Sequence, residues 1–200
     1  MNAAAVLSRP DFAVIADWIK PGEKVLDLGC GDGALLRYLV DTRDVRGYGV
    51  EISAEKVLAS IRNGVNVIQN DLEAGLSAFR DGSFDHVILS LTLQAMHRIE
   101  YVVAEMLRVA REAIVTFPNF GYWHYRWQIA IGGRMPVSEQ IPYQWHDTPN
   151  VHFCTIDDFQ VFCADHGYTV IERLVLQDGR RVDWLPNLRG SLAVFRFCRG

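Results

Sequence analysis

The chain has 200 residues, half of them hydrophobic, with 24 acidic against 20 basic side chains and a formal charge of −4. That length suits one α/β domain with a sizeable core and leaves too little chain for a second, so a single domain is expected over residues 1–200. The acidic balance without any Lys/Arg block argues against nucleic acid as a ligand, and no apolar stretch reaches the length of a membrane span. The opening run Met1 to Arg9 lacks the charged and then long apolar layout of a secretory leader, which predicts a soluble, cytoplasmic protein with no membrane attachment.

In chain order, Pro10 and Asp11 open a helix with Phe12, Ile15 and Ile19 on one face, stopped by Pro21-Gly22 and expected to roof the sheet or its cleft. Val25 to Leu28 reads as a buried strand with an acid, Asp27, inside it. The strand runs into Gly29-Cys30-Gly31-Asp32-Gly33, and a helix follows from Ala34 to Val40. Glycines at alternate positions make a tight loop in which backbone approaches a ligand closely and some residues need positive φ. A second strand, Tyr48-Gly49-Val50, ends in Glu51, placed where a carboxylate accepts both hydroxyls of a ribose. Loop and acid together predict a nucleoside-cofactor site. Ser53 then caps a helix carrying Val57, Leu58 and Ile61, which ends at Asn63-Gly64. Val65 to Gln69 is a third strand, closing on Asn70-Asp71-Leu72-Glu73.

The Gly-x-Gly-x-Gly spacing departs from the Gly-x-Gly-x-x-Gly that packs a pyrophosphate onto a helix. With an acid two residues before its first glycine, it resembles motif I of the class I S-adenosylmethionine-dependent methyltransferases. A sulfonium and an ammonium favour nearby carboxylates and carbonyls, whereas a diphosphate favours bare amides and basic side chains. The resemblance implies S-adenosylmethionine or S-adenosylhomocysteine as cofactor, with Asp27, Gly29, Cys30, Gly31 and Gly33 around its amino-acid end and Glu51 on the ribose. It further implies that Asp71 receives the adenine amino group and that Leu72 packs on the ring. The implied fold is Rossmann-like, with a seven-stranded, mostly parallel sheet, an antiparallel terminal hairpin and helices on both faces.

Phe84 to Ser90 is the next strand, and ligands in open α/β sheets gather at such carboxyl ends, which places Ser90 in the pocket wall. His97, just beyond, is a weak candidate for a general base. His86, inside the strand, reads as a satisfied structural residue. A helix around Tyr101 to Arg111 carries Val102, Met106 and Val109, and Ala113 to Phe117 is its partner strand. The composition then changes at about 119–150, where Phe120, Tyr122, Trp123, Tyr125, Trp127, Tyr143 and Trp145 stand among prolines with few charges. Trp123, Trp127 and Ile131 are at helical spacing and close the core over the cleft in one reading. In the other, Trp123 together with Trp145, His146 and Asp147 of the following loop faces a substrate or a protein partner. Thr155 and Asp158 have the spacing of a capping box for a helix with Phe159, Phe162 and Cys163, ending at Gly167. Tyr168 to Leu176 and Leu192 to Cys198 are the terminal strands, joined by a long loop through Trp184-Leu185-Pro186.

Cys30, Cys154, Cys163 and Cys198 lack metal or redox spacing and are expected to be reduced, packed thiols. Scattered His146, Asp147 and His152 do not make a metal motif, and no metal is expected. Phosphate-binding, nucleophile-elbow and zinc-protease motifs are absent from the sequence.

Three segments narrow the likeness: Thr116-Phe117-Pro118-Asn119-Phe120-Gly121-Tyr122-Trp123, Gly133-Arg134-Met135-Pro136, and Trp145-His146-Asp147-Thr148-Pro149-Asn150-Val151-His152-Phe153-Cys154-Thr155. With the glycine motif they resemble the methionine biosynthesis protein MetW family over nearly the whole chain. That resemblance implies a role in bacterial methionine biosynthesis in support of homoserine O-acyltransferase. One hypothesis beside it is a binding subunit that uses its cofactor site as a sensor. The alternative is a stand-alone methyltransferase acting on a small molecule. Ser90-Leu91-Thr92-Leu93 lacks the Asn/Asp-Pro-Pro-Tyr/Phe of many nitrogen methyltransferases, and proximity with desolvation can transfer a methyl group without it.

Overall fold

Near-continuous apolar strands, buried on both faces at the centre and covered by helices, assemble here as a single mixed sheet. The computed structural model describes residues 9–138 and 140–200, so the run Met1 to Ser8 read above for a leader lies outside the described residues. In chain order come α1 (Asp11–Trp18), β1 (Lys24–Leu28), α2 (Ala34–Arg43), β2 (Arg46–Glu51), α3 (Ala54–Arg62), β3 (Val67–Gln69) and β4 (Phe84–Ser90). They are followed by α4 (Ile99–Val109), β5 (Ala110–Pro118), α5 (Trp123–Gly132), α6 (Ile156–Asp165), β6 (Tyr168–Gln177), β7 (Arg180–Arg181), α7 (Pro186–Arg189) and β8 (Leu192–Arg199). Two short 3₁₀ turns, Leu72–Ala74 and Leu93–Ala95, flank β4.

The strand order is β3-β2-β1-β4-β5-β8-β6-β7, parallel from β3 to β5 and antiparallel thereafter. The expected sheet had seven strands; the observed one has eight. The extra strand comes from Asp178-Gly179, where both φ values are positive (48° and 73°), so a two-residue turn folds Arg180 and Arg181 back onto Gln177 and Leu176. Asp-Gly is a hairpin signal, and it opens the long loop expected between the terminal strands.

Side-chain alternation divides the core in two. Leu26, Leu28, Val87, Leu89, Val115, Phe117, Phe195 and Phe197 face α4 and α6, where Val102, Met106, Ile156, Phe159 and Cys163 cover them. Val25, Ile88, Ile114 and Val194 face the other way, against Phe12, Ile15 and Ile19 and against Leu35, Leu36 and Leu39 of α2. The same parity puts Asp27, Ser90 and Thr116 on the α1 side of the sheet. At the opposite end of that face lies His86, buried between two carboxylates, its Nε2 3.0 Å from Glu23 Oε2 and its Nδ1, without a hydrogen bond, 3.7 Å from Glu112 Oε2.

Two apolar stripes do not behave as their spacing predicts. In α3, Leu58 and Ile61 are exposed, and only Ser60 is fully buried, bonding Gly31 O at 2.9 Å. The α5 stripe of Trp123, Trp127 and Ile131 also faces outward, so it does not close the core; Tyr125 alone among the ten residues of that helix is buried. Helical spacing defines a stripe without saying which side the sheet lies on.

Candidate cofactor site

The ends of the parallel strands bring the motif residues together. Leu28 pairs with Val50 on one side and Leu89 on the other, so the loop after β1 emerges between the tips of β2 and β4. Gly29 N and Cys30 N donate to Val50 O at 2.8 and 3.1 Å, and Gly31 N donates to Glu51 Oε2 at 2.9 Å. Gly29, Gly31 and Gly33 all have positive φ. A side chain at Gly29 would meet Thr92 Oγ1 at 2.8 Å, whereas a Cβ at Gly31 would project into open space. The loop is thus closed against protein at Gly29 and bare where it borders the cleft.

Glu51 is buried, its two oxygens accepting from Gly31 N and Ser53 N, both at 2.9 Å. A carboxylate oxygen has two acceptor sites, so each can still accept a ribose hydroxyl from a fixed position. Asp27 is only 2% exposed. Burial, with smaller contributions from Asp11 and Glu51 and against the opposing pull of Arg9, raises its carboxyl to about 7. Three carboxyls converging under a helix make a surrounding that a cationic ligand would relieve. Burial also pushes the thiols of Cys30, Cys154 and Cys163 up to about 12, and all four cysteines are free.

Asp71 uses one oxygen to accept from Glu73 N at 2.9 Å, capping the 3₁₀ turn that carries buried Leu72. Ser90 ends β4 on the α1 side of the sheet. Its hydroxyl donates to Asp11 Oδ2 at 2.9 Å, accepts from Arg9 at 2.6 Å and lies 3.0 Å from Thr116 Oγ1. Asp11 is wholly buried and paired with Arg9 at 2.8 Å. The sequence marked Asp11 only as a helix-opening acid, and the sheet parity of Ser90 and Thr116 was the signal that could have found this cluster.

Beside the cluster is a cavity of about 510 Å³ lined by Arg9, Asp11, Leu91, Leu176, Ser191 and Leu192. Leu91 holds a left-handed φ of 51°, fixed by its N–H bonds to Thr116 and by Gln94 Nε2 donating to its carbonyl at 2.8 Å. His97 is exposed, its Nδ1 3.3 Å from Glu73 Oε2 and its backbone N–H bonded to Oε1 of the same carboxylate. No group of metal-ligating side chains occurs among the described residues, and no helix among them is long and apolar enough to cross a membrane.

The aromatic segment hangs from the same carboxyl edge. Buried Asn119 donates to Asn187 O at 2.9 Å and Gly190 O at 2.8 Å and accepts from Gly121 N and Ile156 N, joining the ends of β5, α5, α6 and α7 at one side chain. Val151 N and His152 N donate to Gln94 O, which ties the loop to the tip of β4. Trp145 is 75% exposed, His146 sits edge-on to it, and Asp147 accepts from Gln144 N. Trp145, His146 and Asp147 therefore lie on the outer surface with Trp123, apart from Asp27 and Glu51, which are buried.

A family model described as methionine biosynthesis protein MetW matches residues 9–197. The bifunctional methionine biosynthesis protein MetXA/MetW of Rhodopirellula baltica is 39% identical over 94% of this chain, which spans 32% of that relative. Among solved structures, magnesium protoporphyrin IX methyltransferase from Synechocystis, with bound S-adenosylhomocysteine, superposes with a TM-score of 0.67 at 20% identity, covering 98% of this chain and 84% of that one. A SAM-dependent methyltransferase from Archaeoglobus fulgidus gives 0.71 at 13% identity, covering 98% and 94%. These likenesses show the Rossmann-like methyltransferase fold.

Proposed function

Because this chain belongs to the MetW family of methionine biosynthesis proteins, we propose that it is an S-adenosylmethionine-binding auxiliary subunit of homoserine O-acyltransferase, acting in the cytoplasm as one domain. The observation that carries the proposal is the relative in which a MetW part, alignable with 94% of this chain, is joined to MetXA in one polypeptide. Fusion holds two modules at high effective concentration, which is useful when they work on each other.

The cofactor, or its product S-adenosylhomocysteine, would lie over the tips of β1 and β2. Asp27 would face its ammonium, Gly29, Cys30, Gly31 and Gly33 would cradle its amino-acid end, and Glu51 would take the ribose hydroxyls. Asp71 and Leu72 would hold the adenine, with exposed Ile52 beside Glu51 as a further apolar surface. Ser90 would act indirectly, by positioning Asp11. Trp123, Trp145, His146 and Asp147 belong to the outward side that meets a partner. As S-adenosylmethionine is made from methionine, its occupancy would report pathway output, provided the acyltransferase prefers one occupancy state.

The test is the acyl-transfer rate of the host's homoserine O-acyltransferase with and without this chain at fixed S-adenosylmethionine. A rise supports the proposal. An unchanged rate transfers the reading to a stand-alone methyltransferase on a small molecule, which the 510 Å³ cavity beside strained Leu91 favours as second choice.

A further inference from the structure

Helix α5 is poorly buried for its composition. Trp123, Trp127 and Ile131, spaced by four residues, are 50, 56 and 71% exposed, and the opposite side of the helix is held mainly through Tyr125, whose hydroxyl bonds that of Ser138 at 2.8 Å. A ten-residue helix is marginal in water unless an apolar face is packed, and here the larger apolar face is the outer one. The stripe continues past the helix end. Met135 and Trp145, both exposed, line a groove of about 600 Å³ with Gly133, Arg134, Val137 and Gln144.

The charge of this surface is distinctive. From Phe120 to Trp145 the sequence holds two basic residues, Arg126 and Arg134, against one acid, Glu139, although the chain as a whole carries −4. Aromatics, methionine and arginine with few acids, Asp147 beside Trp145 among them, are the composition of an interface centre. The surface hangs from Asn119 and Gln94, next to the cofactor site but not inside it.

Resting on the partnership proposed above, we infer that the outer stripe of α5, with Met135 and Trp145, is the docking surface for the acyltransferase chain. It meets an apolar patch there that is rimmed by carboxylates. Trp127 is the centre of the stripe, and Arg126 and Arg134 supply its charged border.

The test uses the full chain and the host's homoserine O-acyltransferase, with binding followed by calorimetry and by size exclusion with light scattering. Trp127→Glu places a charge in the stripe at an exposed site. It should weaken binding at least tenfold while S-adenosylhomocysteine affinity stays within twofold, which shows that the variant is folded. Arg126→Glu with Arg134→Glu should weaken binding and flatten its salt dependence. If Trp127→Glu binds the acyltransferase as tightly as the parent, the docking surface is wrong while the partnership stands. If the parent itself does not bind, the partnership falls and the inference with it. A parent that self-associates, made monomeric by Trp127→Glu, identifies a second copy as the occupant and overturns the inference.

Discussion

Replacing Asp27 by asparagine separates what this buried acid costs the fold from what it does for a ligand. Its carboxyl stands at about 7 against an ordinary 3.8, so ionising it in the folded chain is disfavoured by roughly 4 kcal/mol. An acid whose value is raised by folding stabilises the native state most when protonated. That contribution is full below pH ~4 and is lost as pH rises through about 7. Asp27→Asn removes the slope, and after allowing for the hydrogen bonds an amide needs, cofactor-free protein should gain about 2–4 kcal/mol at pH 8 and little at pH 4. Urea denaturation at the two pH values measures this. Ligand binding should run the other way, since the proposed ammonium contact requires the ionised acid. The ionised fraction rises about eightfold between pH 6 and pH 7.5, and S-adenosylhomocysteine affinity of the parent should rise with it. The variant should bind roughly tenfold to a hundredfold more weakly, with no such rise. A parent affinity that is flat across this range, or a variant no more stable than the parent at pH 8, would refute the reasoning.

Other substitutions test neighbouring parts. Gly29→Ala combines a positive φ with a contact of 2.8 Å to Thr92 Oγ1; calorimetry should show cofactor affinity reduced at least tenfold, with about 1–3 kcal/mol of stability lost in denaturation. Glu51→Ala should weaken cofactor binding and also change the acyltransferase rate, and a binding defect with an unaltered rate would count against a sensor. Asn119→Ala removes a side chain with four hydrogen bonds to Asn187, Gly190, Gly121 and Ile156, so the urea midpoint should fall by the equivalent of about 2–4 kcal/mol. Trp145→Ala should lower acyltransferase affinity and leave cofactor affinity intact, and an unchanged co-elution profile would reject its place at the interface.

Residue order alone determined the first half of the sheet and its glycine loop. The run from Val25 to Gly33, then Glu51, is local: a buried strand, a loop needing positive φ and a following helix are specified by neighbours in sequence, and parallel pairing aligns their ends. Asn119-Phe120 and Trp145-His146-Asp147 likewise carried the family resemblance, although they did not reveal that Asn119 joins four elements. What the tertiary structure decided is which side each pattern faces. Asp11, Ser90 and Thr116 come from three distant segments and become one polar cluster only because the sheet's parity points the last two toward α1. Trp123, Trp127 and Ile131 have the spacing of a core stripe, yet they face outward because the anchors of α5, Tyr125 and the Asn119 junction, fix its rotation. Periodicity encodes a face, and the direction of that face depends on contacts between residues far apart in the chain.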